Sequence, residues 1–586
     1  MTLPSDQAPP RRTVALWAIL GLLAVALGTL AYGPEVEPGD GAEFMALGRA
    51  LANHQGYRYA CFPDQRLAKE RIIGYPAILA LCDRGPLDPV LVAKALGVLC
   101  FGIAAVLACL LLQSVDNPWL KTGAVLAFVL SPTAISHASK IGSDIPYMAP
   151  AFAALLLADV ALRETRTGRG NALAGLAGVA IAAACYMRPT ALALFPAMLV
   201  FSLLRRKPVV GLIAVCVAAA LFAPWLWYSS TVKTERSYVE HFAVALGGER
   251  ASAAERLYRA GALVRMNLIR QPRAMVDAVL CLPSLGNREQ TAGDEAGTAP
   301  AKEAISPDAI DWGDRDFWLT VDIPLRLSPQ RVVKYALFAT LLWGLVLSAR
   351  RWPTTAHFYV LMTWAYLVFD MHAAEPRISL HLMPFLGLYL LTGVGDICRR
   401  MARRVADHLL PAAVVMVLAL AAIQSVSPIR DQVAQNLAAR GLAWSAPERY
   451  TVYGPDMVAY IAAAHWYAES APQDAVLVCR RPFVPYLISG RLSTWEPIRD
   501  TASPAACWEM IRSYAASRPT YIIQSSRVFD DRWGAHLLST IVEPVLAQHA
   551  DEVARVAEFG GSGERTIVWQ VIPRSPSSAG VSPSAS

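Results

Sequence analysis

Long apolar blocks, repeated along the chain, constrain its fold more than any other feature. A block of roughly 17 to 25 apolar residues is what a helix needs to cross the hydrocarbon core of a bilayer. Eleven such blocks are read as spans, near 13–32, 89–113, 121–138, 145–162, 171–187, 189–204, 209–228, 332–349, 354–370, 378–397 and 408–426. Of 586 residues, 55% are hydrophobic and only 17% charged, where soluble domains carry about a quarter charged. The chain therefore reads as a polytopic α-helical membrane protein. A cleavable signal peptide is the competing reading of the first block, Leu16 to Leu30, but no clear small-x-small site closes it and similar blocks follow.

Charge orients these spans. Basic residues cluster at Arg11-Arg12, Arg163 to Arg169, Arg205-Arg206-Lys207, Arg350-Arg351 and Arg399 to Arg404. With a cytoplasmic N-terminal tail, 1–12, alternation of the eleven spans puts all five clusters on the inner side, as positive residues in short loops require. The net charge of +7 is explained by this bias and gives no argument for nucleic acid. The outer side then receives 33–88, the turn 140–144, the turn at Arg188, the loop 229–331, the turn 371–377 and the chain from about 429. A bacterial plasma membrane is the expected location, with the polar complexity of the chain extracytoplasmic.

The first outer loop holds Gly39-Asp40-Gly41-Ala42-Glu43-Phe44, and Ala42 to Asn53 has helical spacing. Ala46, Leu47, Ala50 and Leu51 share one side, with Glu43 and Arg49 elsewhere, as in a helix lying along a membrane surface. Asp40 stands where it can cap that helix, or act as an acid at the membrane surface. Asp144 has the same two readings before the next helix, and Lys140 is either an interfacial anchor or a cation of a site. Arg188 runs against the inner bias of the other basic residues. It is either a snorkelling side chain or a cation for an anionic ligand. His372, Glu375 and Arg377 crowd one short turn, as a local ion pair or as part of a site. Asp311, Asp314 and Asp316 lie in a Gly- and acid-rich linker, where loose acids are ordinarily only solvated.

Residues 429–574 read as a small extracytoplasmic α/β domain, with a helix at 456–469 and strands at 475–478, 520–523 and 566–571, followed by a Ser- and Pro-rich tail, 575–586, expected to be disordered. Five cysteines, Cys61, Cys82, Cys281, Cys479 and Cys507, fall on the outer side, where Cys61 with Cys82 and Cys479 with Cys507 are candidate bridges. No Cys/His spacing suits zinc.

These segments, in this order, resemble the GT-C family of integral membrane glycosyltransferases, which includes the protein O-mannosyltransferases and aminoarabinose transferases. The resemblance rests on Asp40 after the first span, Phe44…Ala46-Leu47…Ala50-Leu51…Gly56-Tyr57, and Gly74-Tyr75-Pro76. It extends through Ser143-Asp144-Ile145-Pro146, Met187-Arg188-Pro189-Thr190-Ala191, and Glu375-Pro376-Arg377-Ile378 through Pro384. In the soluble part, Trp466-Tyr467…Pro472-Gln473-Asp474-Ala475-Val476 and Arg480-Arg481-Pro482 fit as well. Asp144 stands where Glu is commoner and Ile378 where Tyr is usual. A Trp-Trp-Asp-Tyr-Gly motif is absent, so en bloc oligosaccharide transfer to Asn is not implied.

The resemblance implies a sugar transferred, with inversion, from a polyprenyl-phosphate donor to an acceptor hydroxyl on a lipid, a polysaccharide or a protein. Asp40 would be the general base. Asp144 would orient the acceptor or one of the cations. Arg188, Arg377 and Lys140, with Arg71 and His372 behind them, would hold the leaving phosphate. Glu43, Tyr57, Tyr75 and Glu375 would stand beside the substrate, membrane lipids would surround the donor tail, and no metal or other cofactor is required. Two other function classes fit a polytopic chain. A transporter or flippase places charge at mid-bilayer in broken helices, whereas spans 2, 3 and 8 to 11 are almost free of internal charge. A non-catalytic envelope assembly protein has no need for ionisable residues from separate outer turns.

Overall fold

In a computed structural model, the structure describes residues 36, 38–233, 252–280, 329–369, 376–401, 406–438, 441–499, 503–525, 541–561 and 565–572. The span expected at 13–32, the acidic linker with Asp311, Asp314 and Asp316, and the tail lie outside the described residues.

The first loop folds as two short helices, α1 (Asp40–Ala52) and α2 (Gly74–Asp83). The membrane region follows as α3 (Pro89–Leu111), α4 (Pro118–Val129), α5 (Pro132–Ala138), α6 (Asp144–Arg163) and α7 (Thr167–Met187). After a 3-10 turn at Pro189–Ala193 come α8 (Leu194–Leu204), α9 (Pro208–Thr231), α10 (Ala253–Leu280), α11 (Pro329–Arg351) and α12 (Thr355–Val368). A second 3-10 turn, Pro376–Leu382, leads into α13 (Met383–Met401) and α14 (Ala406–Ala438). Three starts share one device: Asp88, Asn117 and Ser131 each cap the next helix through the side chain, with proline as its first residue.

Among the described residues six helices are long and apolar enough to cross a membrane, and α4 with α5 makes a seventh if counted as one bent span. The span expected at 121–138 is therefore not one straight helix. Ser131-Pro132 starts a new helix and bends the pair by 52°, because proline removes a backbone donor and clashes with the preceding turn. The span expected at 189–204 is a 3-10 turn plus the eleven residues of α8, and α12 has only 14 residues. The span expected at 408–426 is part of a 33-residue helix, so the boundary placed at 429 falls inside α14. Large apolar side chains left exposed, such as Leu99, Leu176, Leu212 and Trp227, lie on the long apolar helices, as lipid-facing positions do.

The C-terminal unit opens with α15 (Pro455–Ser470) and holds α16 (Phe483–Ser489). Its sheet has five strands rather than three: β1 (Val476–Val478), β2 (Leu492–Thr494), β3 (Thr520–Gln524), β4 (Val553–Phe559) and β5 (Thr566–Val571), in the order β2-β1-β3-β5-β4. β1 runs parallel to β2 and β3, and β5 pairs antiparallel with β3 and β4. β2 was missed because Leu492-Ser493-Thr494 is too short to show a period.

This unit is seated on the first loop. Cys61 O accepts from Ser493 N at 2.8 Å, Arg49 Nη1 donates to Leu487 O at 2.8 Å, and Arg66 pairs with Glu496 at 2.9 Å. Phe62, Phe483 and Trp495 form an aromatic cluster across the seam. Consequently α1 is not a surface helix. Ten of its thirteen residues are buried, Glu43 among them, because α2 and α16 cover the faces that an isolated helix would expose. Cys61, Cys82, Cys479 and Cys507 are all free thiols. Cys82 is in α2, while Cys61 is locked to β2 through its carbonyl, and neither expected bridge forms.

Candidate functional site

Three chain segments carry ionisable groups to one cleft enclosing about 840 Å³, its open mouth included. The first is the start of α1 with the loop before α2. Gly39 occupies the cap position of α1 without a side-chain cap bond, and Asp40 is the first helical residue. The capping role expected of Asp40 is not the one seen. Asp40 and Glu43, one turn apart and so on one helix face, both meet Arg71 Nη2, each at 2.8 Å. The Arg71 backbone is held by Tyr57, whose hydroxyl donates to Arg71 O at 2.8 Å. The Tyr59 hydroxyl donates to Glu43 Oε1 at 2.7 Å.

Only Asp40 of the two acids faces the cleft. Its side chain is 39% exposed and that of Glu43 6%. Burial is the largest influence on Glu43 and raises its carboxyl above the ordinary range, against the pull of Arg71. Burial alone would lower Arg71, but Glu43 and Asp40 outweigh it and raise the guanidinium well above its ordinary value. The Glu43 carboxyl ionises only above its raised value, and the 2.8 Å contact with a guanidinium that stays charged is the geometry of the ionised pair formed there.

The second segment is the turn between α5 and α6, which brings His137, Lys140 and Asp144 to the cleft. Gly97 of α3 passes so close to Ala138 O that a Cβ has no room, which lets the turn sit down on α3. Asp144 begins α6; its cap position, Ser143, makes no side-chain cap bond.

The third segment is Arg188, directly after α7. A residue before proline is driven into extended backbone, and Arg188 sits at φ −150°, ψ 143° ahead of Pro189. That step ends α7, and the Arg188 Nη1 pairs with Asp144 Oδ1, while His137 Nδ1 stands 3.9 Å from Asp144 Oδ2. Gly74, where α2 begins, meets the Tyr186 carbonyl with no space for a Cβ. The Arg71 loop and the Arg188 turn are thereby packed together.

Asp40, Asp144, Lys140, Arg71 and Arg188 thus line one cleft. Glu43, Tyr57 and Tyr75 do not line it. They stand one layer behind: Glu43 on the covered side of α1, Tyr57 in the loop that follows it, and Tyr75 in α2 with its ring 5.2 Å from that of Phe44. His372 and Glu375 lie outside the described residues. Arg377 belongs to the 3-10 turn Pro376–Leu382, and its side chain lies outside the description too. The sequence reading missed His137, Glu70 and Tyr366, which also line the cleft. His137 was hidden inside an apparent span, and the Ser-Pro break before it was the available signal. Among the described residues no cluster of His, Cys, Asp and Glu has the geometry to hold a metal ion.

No family model matches the sequence, and no curated protein matches it. The fold, a bundle of apolar helices with a structured first loop and a C-terminal α/β unit seated on that loop, is shared with solved membrane proteins of low sequence identity. ArnT from Cupriavidus metallidurans, solved bound to undecaprenyl phosphate, superposes with a TM-score of 0.52 over 96% of this chain and 98% of that one, at 12% identity. The archaeal oligosaccharyltransferase AglB from Archaeoglobus fulgidus, in complex with an inhibitory peptide and a dolichol-phosphate, gives a TM-score of 0.51 over 94% of this chain and 74% of that one, at 12% identity.

Proposed function

We propose that this chain is a membrane glycosyltransferase that moves a sugar from a polyprenyl-phosphate donor to an acceptor hydroxyl on the extracytoplasmic side of a bacterial plasma membrane, with its N-terminus in the cytoplasm. One observation carries the reading: Asp40, Asp144, Lys140, Arg71 and Arg188, from three separate segments, line one cleft. Sugar transfer from a lipid phosphate asks for that set, a carboxylate to accept a proton and cations to receive a phosphate. The lipid phosphates bound by ArnT and AglB add support for the donor class.

In the proposed step the acceptor hydroxyl gives its proton to Asp40, and its oxygen attacks the anomeric carbon opposite the phosphate. The bond from that carbon to the phosphate oxygen breaks, polyprenyl phosphate leaves with the electron pair, and the anomeric centre inverts. Arg71, Lys140 and Arg188 receive the growing charge on the phosphate; Arg presents a planar fork suited to its oxygens. Asp144 orients Arg188. This scheme requires no metal. The acceptor is a lipid, a polysaccharide or a protein hydroxyl, and membrane lipids surround the polyprenyl tail.

The test has two arms. The purified protein in nanodiscs is titrated with undecaprenyl phosphate, with saturable binding expected. A deletion strain is profiled by mass spectrometry for a missing envelope glycan or glycolipid, which names sugar and acceptor. Absence of lipid-phosphate binding together with an unchanged glycan profile would overturn the proposal.

A further inference from the structure

Resting on that reading, the geometry points to a positioning role for the C-terminal unit: it sets Arg71 in the cleft through Tyr59 and Glu43. The path is continuous. Phe483 of α16 lies 5.7 Å from the Tyr59 ring, and Phe62 stacks on Tyr59 at 5.3 Å with an interplanar angle of 22°. Trp495 closes the far side of Phe483 at 5.1 Å. Tyr59, only 2% exposed, is fixed by these rings and spends its hydroxyl on Glu43 Oε1 at 2.7 Å. Glu43 Oε2 then meets Arg71 Nη2, the same nitrogen that meets Asp40.

Each oxygen of the buried Glu43 carboxylate is thus assigned, one to Tyr59 and one to Arg71. A buried carboxylate that loses one partner must find another or take up a proton. Either change moves Arg71, because Glu43 is the better buried of its two acids and does not follow the open cleft. The C-terminal unit therefore acts on the phosphate side of the cleft without touching substrate. Neither Tyr59 nor Glu43 lines the cleft, which makes both positioning residues.

A double-mutant cycle separates this from a merely structural role. Undecaprenyl phosphate is the probe, and its affinity for the full chain in nanodiscs is the readout. Arg71→Ala weakens binding about tenfold, as loss of a charged phosphate contact should. Tyr59→Phe, which keeps the ring stack, weakens it about threefold to tenfold. In the Arg71→Ala background, Tyr59→Phe costs nothing further.

Wild-type affinity in Tyr59→Phe, with Arg71→Ala weakened, overturns the inference and leaves the function standing. An undiminished Tyr59→Phe effect in the Arg71→Ala background overturns it too. Wild-type affinity in Arg71→Ala removes Arg71 from the phosphate site, and the inference with it. If Tyr59→Phe does not fold, Glu43→Gln, which keeps an acceptor for Tyr59 but removes the charge from Arg71, carries the same cycle.

Discussion

Arg188 and Asp144 form an ion pair between the residue that ends α7 and the residue that begins α6. The pair sits at the cleft with side chains 23% and 12% exposed, so removing the arginine strands a largely buried acid. Arg188→Ala is expected to lower the melting temperature and to weaken undecaprenyl phosphate binding about tenfold. Asp144→Asn added to it should restore the melting temperature but not the binding. Thermal melts and lipid titrations of the single and double variants check both statements.

Asp40 should separate chemistry from binding. Asp40→Asn keeps the size of the side chain and removes the base. Transfer is expected to fall by at least about a hundredfold, while undecaprenyl phosphate binds within a few-fold of wild type. Substantial transfer by this variant, once donor and acceptor are known, would remove Asp40 from the role of base.

Glu43 makes a pH prediction. Its folded carboxyl holds a proton more tightly than the unfolded chain does, because it is buried. The stability it contributes is fully present below about 4.5, its ordinary value, and is lost as pH rises through the higher folded value. Glu43→Gln has no such titration. The melting temperature of Glu43→Gln relative to wild type should therefore rise as the pH is raised from about 4.5 upward. A difference that stays flat or falls over this range contradicts the direction given.

Gly74 holds two cleft segments together by having no side chain. A Cβ there runs into the carbonyl and Cβ of Tyr186, and a backbone carbonyl at a helix end has little freedom to yield. Gly74→Ala is expected to cost about 1 to 3 kcal/mol and to weaken lipid-phosphate binding, since Arg71 precedes Gly74 and Arg188 follows Tyr186. Gly175, with nothing near its missing Cβ, is the control: Gly175→Ala should be neutral or slightly stabilising.

The cysteines give a simple chemical check. Cys61, Cys82, Cys479 and Cys507 are free, so alkylation of unreduced, denatured protein should label all four, and reduction should not increase the count. Protection of any of them before reduction would show a bridge that this fold does not contain.

Much of the cleft was legible in the sequence because its signals are local. Asp40 and Asp144 begin helices, Arg188 precedes a proline, and charge alternation of the expected spans assigns them to one side. Such features need no knowledge of what packs where. The roles behind them were not legible. Glu43 looks like a polar residue on the open side of an amphipathic helix, and only the packing of α2, α16 and the Tyr59 loop around α1 makes it a buried bridge to Arg71. Tyr59 carries no motif at all; its partner is sixteen residues away, and one of its two ring neighbours, Phe483, lies in a different unit. His137 was concealed by treating the bend at Ser131-Pro132 as a continuous span.

The bond from Ser493 N to Cys61 O closes one rim of the five-stranded sheet, since β2 is an edge strand. An uncovered rim is a template for pairing with other chains. Residues 441–572 expressed alone would expose that rim together with Phe483 and Trp495, and the fragment should self-associate. The C-terminal unit is thus not a portable module: an exchange between distant homologues must carry the stretch from Tyr57 to Arg71 with it, because the natural seam of this molecule does not follow the order of its chain.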